Sequence, residues 1–364
     1  MTKTLLTTAA LSASLVSAAV AGNADALDTS FGVEKDSFLD RFTFGSYGEI
    51  HSSFSEDGTD IDPHRIVLFT DFQISDKLKL VTETELEHAL RKKAGSTFTS
   101  DGVKFKLEQA YLEYGINDHL TAKAGLILVP AGVINETHEP TTFYGVERPN
   151  VEKNIIPTTW TELGVGVTKV YDSGLQLDAM LHSGLDIKGG SIRDGRSNYQ
   201  FEEFKSNSES WAVTTRAKYT GLAGIELAGS LQYQSDLDSA VSGNQDAILA
   251  TTHGVYRNGG FQFIGLASYW DIDVSGDAGE QWGYYLEPSY AWDTAIGKVG
   301  VFGRYSQYEY SAGGAKNREV TEMNAGVNYW INDNLVVKAD YLTADRKDTA
   351  GTDESYNLGF GWHF

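Results

Sequence analysis

The last eleven residues, ESYNLGFGWHF (354–364), decide the fold. Tyr356, Leu358, Phe360, Trp362 and Phe364 alternate with Asn357, Gly359, Gly361 and His363. Successive strand side chains point to opposite faces, so this stretch is a strand with one apolar face and one small or polar face. The pattern recurs upstream. Leu175, Leu177, Ala179 and Leu181 alternate with Gln176, Asp178, Met180 and His182, and Trp282, Tyr284, Leu286, Tyr290 and Trp292 stand against Gly283, Tyr285, Glu287 and Ser289. Sixteen such segments are expected, near 42–54, 64–75, 78–89, 103–116, 120–129, 161–171, 175–183, 210–219, 225–234, 247–256, 261–271, 282–292, 298–308, 319–330, 335–344 and 354–364.

The connections alternate in length. Short ones include Ser75–Lys77, Asn117–His119, Thr220–Gly224 and Asp293–Gly297, while Glu56–Asp62, Asp236–Asp246, Asp271–Glu280 and Asp345–Asp353 read as long, acidic loops. With no helix-period element between strands, this is an up-and-down antiparallel meander. Tyr114, Tyr171, Tyr219, Tyr256, Trp292 and Trp330 stand beside the short turns. Amphipathic rings favour a membrane–water interface, and transmembrane barrels carry such girdles. An even strand number puts both termini on one side, the periplasmic one, and closure removes the open edges that hydrocarbon would not tolerate. The expected fold is therefore all-β: a transmembrane antiparallel β-barrel of sixteen strands, wide enough for a water-filled channel.

Composition narrows the function. The 364 residues hold 29 Lys+Arg against 50 Asp+Glu and no Cys. That excludes disulfides, thiolate nucleophiles and Cys-ligated metals. A net charge of −21 without a basic block makes nucleic acid a poor partner. At the N-terminus, Lys3 precedes an apolar stretch, Leu5–Val20, and small-residue sites at Ala19–Ala21 and Ala24–Ala26. These are the parts of a cleaved secretory signal peptide. Residues 1–26 are assigned to it, with cleavage after Ala26 or Ala21, and 27–364 to the barrel.

The polar strand faces carry both signs. Arg65, Lys104, Lys106, Glu108, Lys123, Arg216 and Arg304 are expected to line the channel, since a packed core could not hold so many charges. Pro288 falls mid-strand and implies a bulge, because it cannot donate to a ladder. One connection stands apart: PAGVINETHEPTTFYGVERPNVEKNIIPTTW (130–160), with Pro130, Pro140, Pro149 and Pro157. A structureless loop this long is usually functional, and prolines stiffen it. It is expected to fold into the barrel between the fifth and sixth strands and narrow the pore, with Glu136, His138, Glu139, Glu147, Arg148 and Lys153 near the solute path. Arg193 and Arg196, in the loop after the seventh strand, are candidates for the channel mouth.

The segment 130–160, with VKFKLEQAYLEYG (103–115), YTGLAGIELAGSLQYQSD (219–236), EPSY (287–290), GVNYW (326–330) and the terminal Phe364, resembles the bacterial outer-membrane porins named after the phosphate-selective porins O and P. The resemblance spans nearly the whole chain after the signal. It implies a homotrimer in the outer membrane of a Gram-negative bacterium, among lipid and lipopolysaccharide, whose third extracellular loop enters the channel. It also implies that Phe360, Trp362 and Phe364 form the signal read by the outer-membrane assembly machinery. Gly164-Val165-Gly166 would allow close packing between barrels. The named porins line their channels with arginines; here the inward faces are mixed, so passive, weakly selective diffusion of small hydrophilic solutes and ions is expected. A phosphate- or anion-selective porin is the alternative.

Other classes fit less well. The eight histidines are scattered, no Ser sits in a nucleophile motif, and Glu136-Thr137-His138-Glu139 lacks a metal-ligand spacing, so neither enzyme activity, cofactor nor metal is expected. A receptor or adhesin barrel would call for a plug, longer loops or a passenger domain.

Overall fold

The computed structural model describes residues 38–88, 104–200, 203–205, 207–240, 244–274, 279–311, 318–347 and 351–364. The expected signal, 1–26, lies outside them. The strands are β1 (Phe42–Ser55), β2 (Gly58–Ser75), β3 (Leu78–Glu87), β4 (Lys104–Asn117), β5 (Leu120–Leu128), β6 (Thr161–Val170), β7 (Leu175–Gly184), β8 (Asn198–Gln200), β9 (Glu203–Lys205), β10 (Asn207–Leu222), β11 (Ile225–Gln234), β12 (Ala247–Asn258), β13 (Phe261–Ile272), β14 (Glu280–Thr294), β15 (Gly297–Tyr310), β16 (Arg318–Asn332), β17 (Leu335–Arg346) and β18 (Thr352–His363). One short helix, α1 (Asn150–Asn154), interrupts the connection between β5 and β6.

Each strand pairs antiparallel with its chain neighbour, except that β7 pairs with β10 and leaves β8 and β9 as a small hairpin that touches β4 through Lys106↔Gln200. The remaining sixteen strands close because β18 pairs with β1 from Tyr47↔His363 to Ser55↔Ser355. Phe364 completes the seam: its N–H donates to the Ser46 carbonyl at 2.7 Å, and its carbonyl accepts from Ser46. The barrel is the expected one, and every proposed strand segment contains a real strand.

Period-two alternation sorts the side chains. Leu358, Phe360, Leu227, Leu231, Leu163, Val165 and Leu181 are exposed on the outer face, whereas Asn357, Gln232, Asp178 and His182 are buried on the inner one. Such an apolar exterior on a closed sheet suits lipid. Tyr114, Tyr171, Tyr256 and Trp292 are exposed beside the short turns, as a girdle requires. Trp330 differs: its indole N–H donates inward to the Thr141 carbonyl at 3.0 Å.

Several expectations are corrected. The Glu56–Asp62 connection is a tight turn, because β2 already starts at Gly58 and carries Asp60 and Asp62 in its ladder to β1. Pro288 causes no bulge. It pairs with Phe263 in an unbroken register, and on its other side the register is the same before and after it, at Leu286↔Tyr305 and Ser289↔Phe302. The connection 130–160 is not without regular structure, since it contains α1. Gly164 and Gly166 do not form an outer contact face. A Cβ on Gly164 would meet His182, an inward residue, and the outer face there is Leu163, Val165 and Val167.

The interior is wet only in part. Val129, Val151, Ile155, Ile156 and Trp160 of the long connection and its ends pack with Trp270 and Tyr285 in a dry cluster. Elsewhere the inner face mixes polar and charged residues with apolar ones such as Phe302 and Val336.

Candidate functional site

The segment 130–160 leaves β5 and returns to β6, and its two ends are clasped together. Asn135 donates from its amide to the Val129 and Trp160 carbonyls at 2.7 and 3.1 Å, and its side-chain oxygen accepts from the Trp160 N–H at 2.6 Å. Glu152 of α1 closes the next turn. Its Oε2 accepts the Val133 and Ile134 N–H groups at 2.8 and 2.7 Å, and Oε1 accepts Tyr285 Oη–H at 2.7 Å. Gly132 has φ +77°, and any Cβ there would lie 2.6 Å from that Oε2, so only glycine fits.

The segment is then fastened to inward-facing groups around the barrel. Tyr47 of β1 bonds His138 Nε2 at 2.8 Å, and Arg65 of β2 donates to the His138 carbonyl at 2.7 Å. Arg216 of β10 donates to the Glu136 carboxylate. Ser230 of β11 donates to the Pro130 carbonyl, and Trp270 of β13 to the Ile155 carbonyl. Arg304 of β15 and Lys338 of β17 donate to the carbonyls of Tyr144 and Gly145 at 2.7 and 2.8 Å. Asp340 accepts the Val146 N–H at 2.6 Å. Small residues on the wall make the room. A Cβ on Gly361 would lie 2.5 Å from Pro140, one on Gly359 3.0 Å from Val146, and one on Gly283 2.9 Å from Val151. The small face of the terminal strand is thus the seat of this segment.

Most wall cations are neutralised locally. Arg65 pairs with Glu49 at 2.6 Å, Arg304 with Glu287 at 2.6 Å, and Arg216 with Asp178 at 2.9 Å. Lys106 lies between Glu85 and Glu87. Lys123 lies opposite Glu113 of the neighbouring strand, 3.5 Å away. Lys104 is half-buried at the start of β4. Glu108 is buried against His138, 3.4 Å away, and Glu139 is buried with its carbonyl accepting from Thr142.

A second group is cationic. Arg193 donates to the carbonyls of Lys153 and Thr158, both at 3.1 Å. Arg196 donates to the Thr159 carbonyl at 2.9 Å, and Arg148 to Thr159 Oγ1 at 2.8 Å. These partners are neutral, so the charges are not cancelled by them. Burial, then Arg196 and Arg148, lower Arg193 to about 9, and burial and Arg148 act likewise on Arg196. Glu147 raises Lys153, but burial and Arg193, Arg148 and Arg196 outweigh it and lower it. Across from them, burial would raise Glu147, yet Lys153 and His51 hold it well below the carboxylate range. Burial would also raise Glu136, but Arg216 and Lys218 hold it at about 2.

Glu136, Glu147 and Lys153 keep 39%, 45% and 35% of their side chains open to water although protein surrounds them. The sequence profile of the family described as phosphate-selective porin O and P matches residues 167–358, more than half of the chain. The chain belongs to this porin family. An uncharacterised protein of Aquifex aeolicus (strain VF5) is 27% identical, over 88% of this porin and 80% of that protein. The fold is shared with an anion-selective porin from Comamonas acidovorans (12% identity, TM-score 0.61, 88% and 98% of the two chains). It is also shared with Salmonella typhi OmpF in complex with daunomycin (13%, 0.60, 89% and 97%) and with OmpT, an outer membrane protein of Vibrio cholerae (11%, 0.57, 89% and 98%). Family and fold make the chain an outer-membrane porin channel.

Sequence reading missed part of this porin's site. Tyr47, Asn328 and Asp340 of the wall and Glu152 of the segment itself all hold it, yet nothing in their local pattern sets them apart from their neighbours. The histidines looked scattered, but β1, β2 and the end of β3 bring His51, His64 and His88 together.

Proposed function

We propose that this porin carries small hydrophilic solutes and ions by passive diffusion, and that residues 130–160 form its constriction. The observation that carries this reading is the water-accessible yet enclosed trio Glu136, Glu147 and Lys153, on a segment tied to strands around the barrel. Selectivity in this reading is weak. Arg65, Arg216, Arg304 and Lys106 each have carboxylates beside them, and close opposite charges leave little field at a distance. Arg148, Lys153, Arg193 and Arg196 form a positive wall facing Glu85, Glu87 and Glu108, so a solute would cross a transverse field rather than a one-sign funnel.

That positive wall also favours a second reading, anion preference with phosphate among the solutes. Phosphate recognition needs several converging charged donors, and this cluster is where they occur. Export by a signal cleaved after Ala26 or Ala21, assembly through Phe360, Trp362 and Phe364, and a homotrimer in lipid and lipopolysaccharide complete the proposal. Reversal potentials in planar bilayers under a KCl gradient test it. Small potentials and a chloride current insensitive to micromolar phosphate fit weak selectivity; strong anion preference with phosphate block would replace the first reading with the second.

A further inference from the structure

We propose that Asp62, His64 and His88 form a binding site for one divalent transition ion of the zinc class on the inner wall. One irregularity of the backbone builds it. Between Glu49↔Arg65 and His51↔Asp62 the ladder slips by one residue, because β2 has an extra residue around Pro63 and His64. A bulge reverses the parity of alternation beyond it. Asp62, His64 and Arg65 thereby all turn inward, which no regular strand allows: Arg65 meets Glu49, while His64 Nδ1 lies 3.2 Å from Asp62 Oδ2. His88 follows the end of β3 with φ +52°, held by its N–H on the His64 carbonyl at 3.0 Å, and its Nδ1 lies 2.9 Å from the same carboxylate. Left-handed backbone in a non-glycine residue is uncommon and gathers at functional sites.

The chemistry suits zinc. Two imidazole nitrogens and one carboxylate oxygen lie within 4.8 Å of one another. Metal–ligand bonds of about 2.1 Å put donors around a tetrahedral ion about 3.4 Å apart, so small side-chain shifts suffice. Water reaches the group, since His64, His88 and Asp62 keep 25%, 19% and 11% of their side chains exposed. A supporting layer backs it: the His51 ring stacks on His64 at 4.7 Å and 12°, and His51 is itself held between Glu49 at 3.1 Å and Glu147 at 2.8 Å. Outer partners of this kind orient ligands and are part of a metal site. Glu49, Glu147 and Glu87 face the site from neighbouring elements, each beside a cation, Arg65, Lys153 and Lys106. The link through His51 to Glu147 connects the site to the segment 130–160.

The test is calorimetric titration of the full-length, metal-stripped porin in detergent with Zn²⁺ near neutral pH, together with the visible spectrum of its Co²⁺ form. The expected result is saturable binding of one ion per barrel with a Co²⁺ spectrum of mixed nitrogen and oxygen ligation. Binding should weaken by more than about 100-fold in His88→Ala and in Asp62→Asn, beyond the loss caused by removing an outer partner. It should also fade below about pH 6, where imidazoles protonate. His253→Ala, a histidine paired with Glu226 elsewhere on the wall, should bind as the unaltered chain does. The absence of saturable binding to the unaltered porin would overturn the proposal. So would a Co²⁺ spectrum without nitrogen ligands, or equal weakening by His253→Ala.

Discussion

Replacing Glu152 by alanine isolates the attachment of the segment 130–160 from the stability of the barrel. The carboxylate is fully buried and accepts from Val133 N–H, Ile134 N–H and Tyr285 Oη–H. Alanine leaves these donors without an acceptor, and each buried unsatisfied group costs about 1–3 kcal/mol. The segment's attachment should therefore weaken by about 3–9 kcal/mol, while the strand ladder keeps all of its bonds. At the lower end, with each 1.4 kcal/mol worth tenfold, the opening equilibrium rises about 100-fold. Hydrogen exchange in detergent reads this directly. The amides of Val133 and Ile134 should exchange about 100-fold faster, those of β11 to β13 at their original rate, and single-channel current should become larger and noisier. Glu152→Gln keeps one acceptor oxygen and should lose less. Unchanged exchange at 133–134 in Glu152→Ala would refute the reasoning, because it would mean that these bonds do not hold the segment.

Three further outcomes are expected. Burial lowers His138, but Glu108 more than restores it, so its folded pKa lies above the free value. Its contribution is therefore complete below about pH 6.5 and fades as pH rises through the raised value, so amide protection within 130–160, corrected for the intrinsic exchange rate, should fall with rising pH and be flatter with pH in His138→Gln. Lys153→Gln removes one cation from the positive wall and should move the reversal potential toward cations, and Glu147→Gln should move it toward anions; shifts of the opposite sign would count against both positions. Mass photometry in mild detergent should find particles of three subunits, whereas particles of monomer mass alone would contradict the trimer.

The barrel was legible because one signal, period-two alternation, runs through its sixteen strands from Phe42 to His363, whereas the three-residue strands β8 and β9 are too short to show it. That signal tells which face a residue is on but not its height on the wall. That Lys123 pairs with Glu113 follows from register alone. The bulge at Pro63–His64 was invisible for the same reason, since one inserted residue looks like ordinary sequence until the neighbouring strand is in place. Pro288 shows the converse: a residue that usually marks irregularity sits in unbroken register. The segment 130–160 stood out by its prolines and length, but its α1 turn is five residues and too short for a periodic pattern. The 3-10 turn Arg193–Gly195 brings Arg193 and Arg196 onto the carbonyls of 153–159, a contact between two loops that no local pattern announces.

The central claim is that the segment 130–160 limits flow through an open channel. Single-channel conductance of the porin and of a variant lacking residues 135–146, each in a planar bilayer at the same salt, tests it most directly. The account predicts discrete, ohmic steps from the unaltered protein and larger steps from the variant, provided that its barrel still forms. Equal steps from a folded variant, or no steps from the unaltered porin, would contradict it.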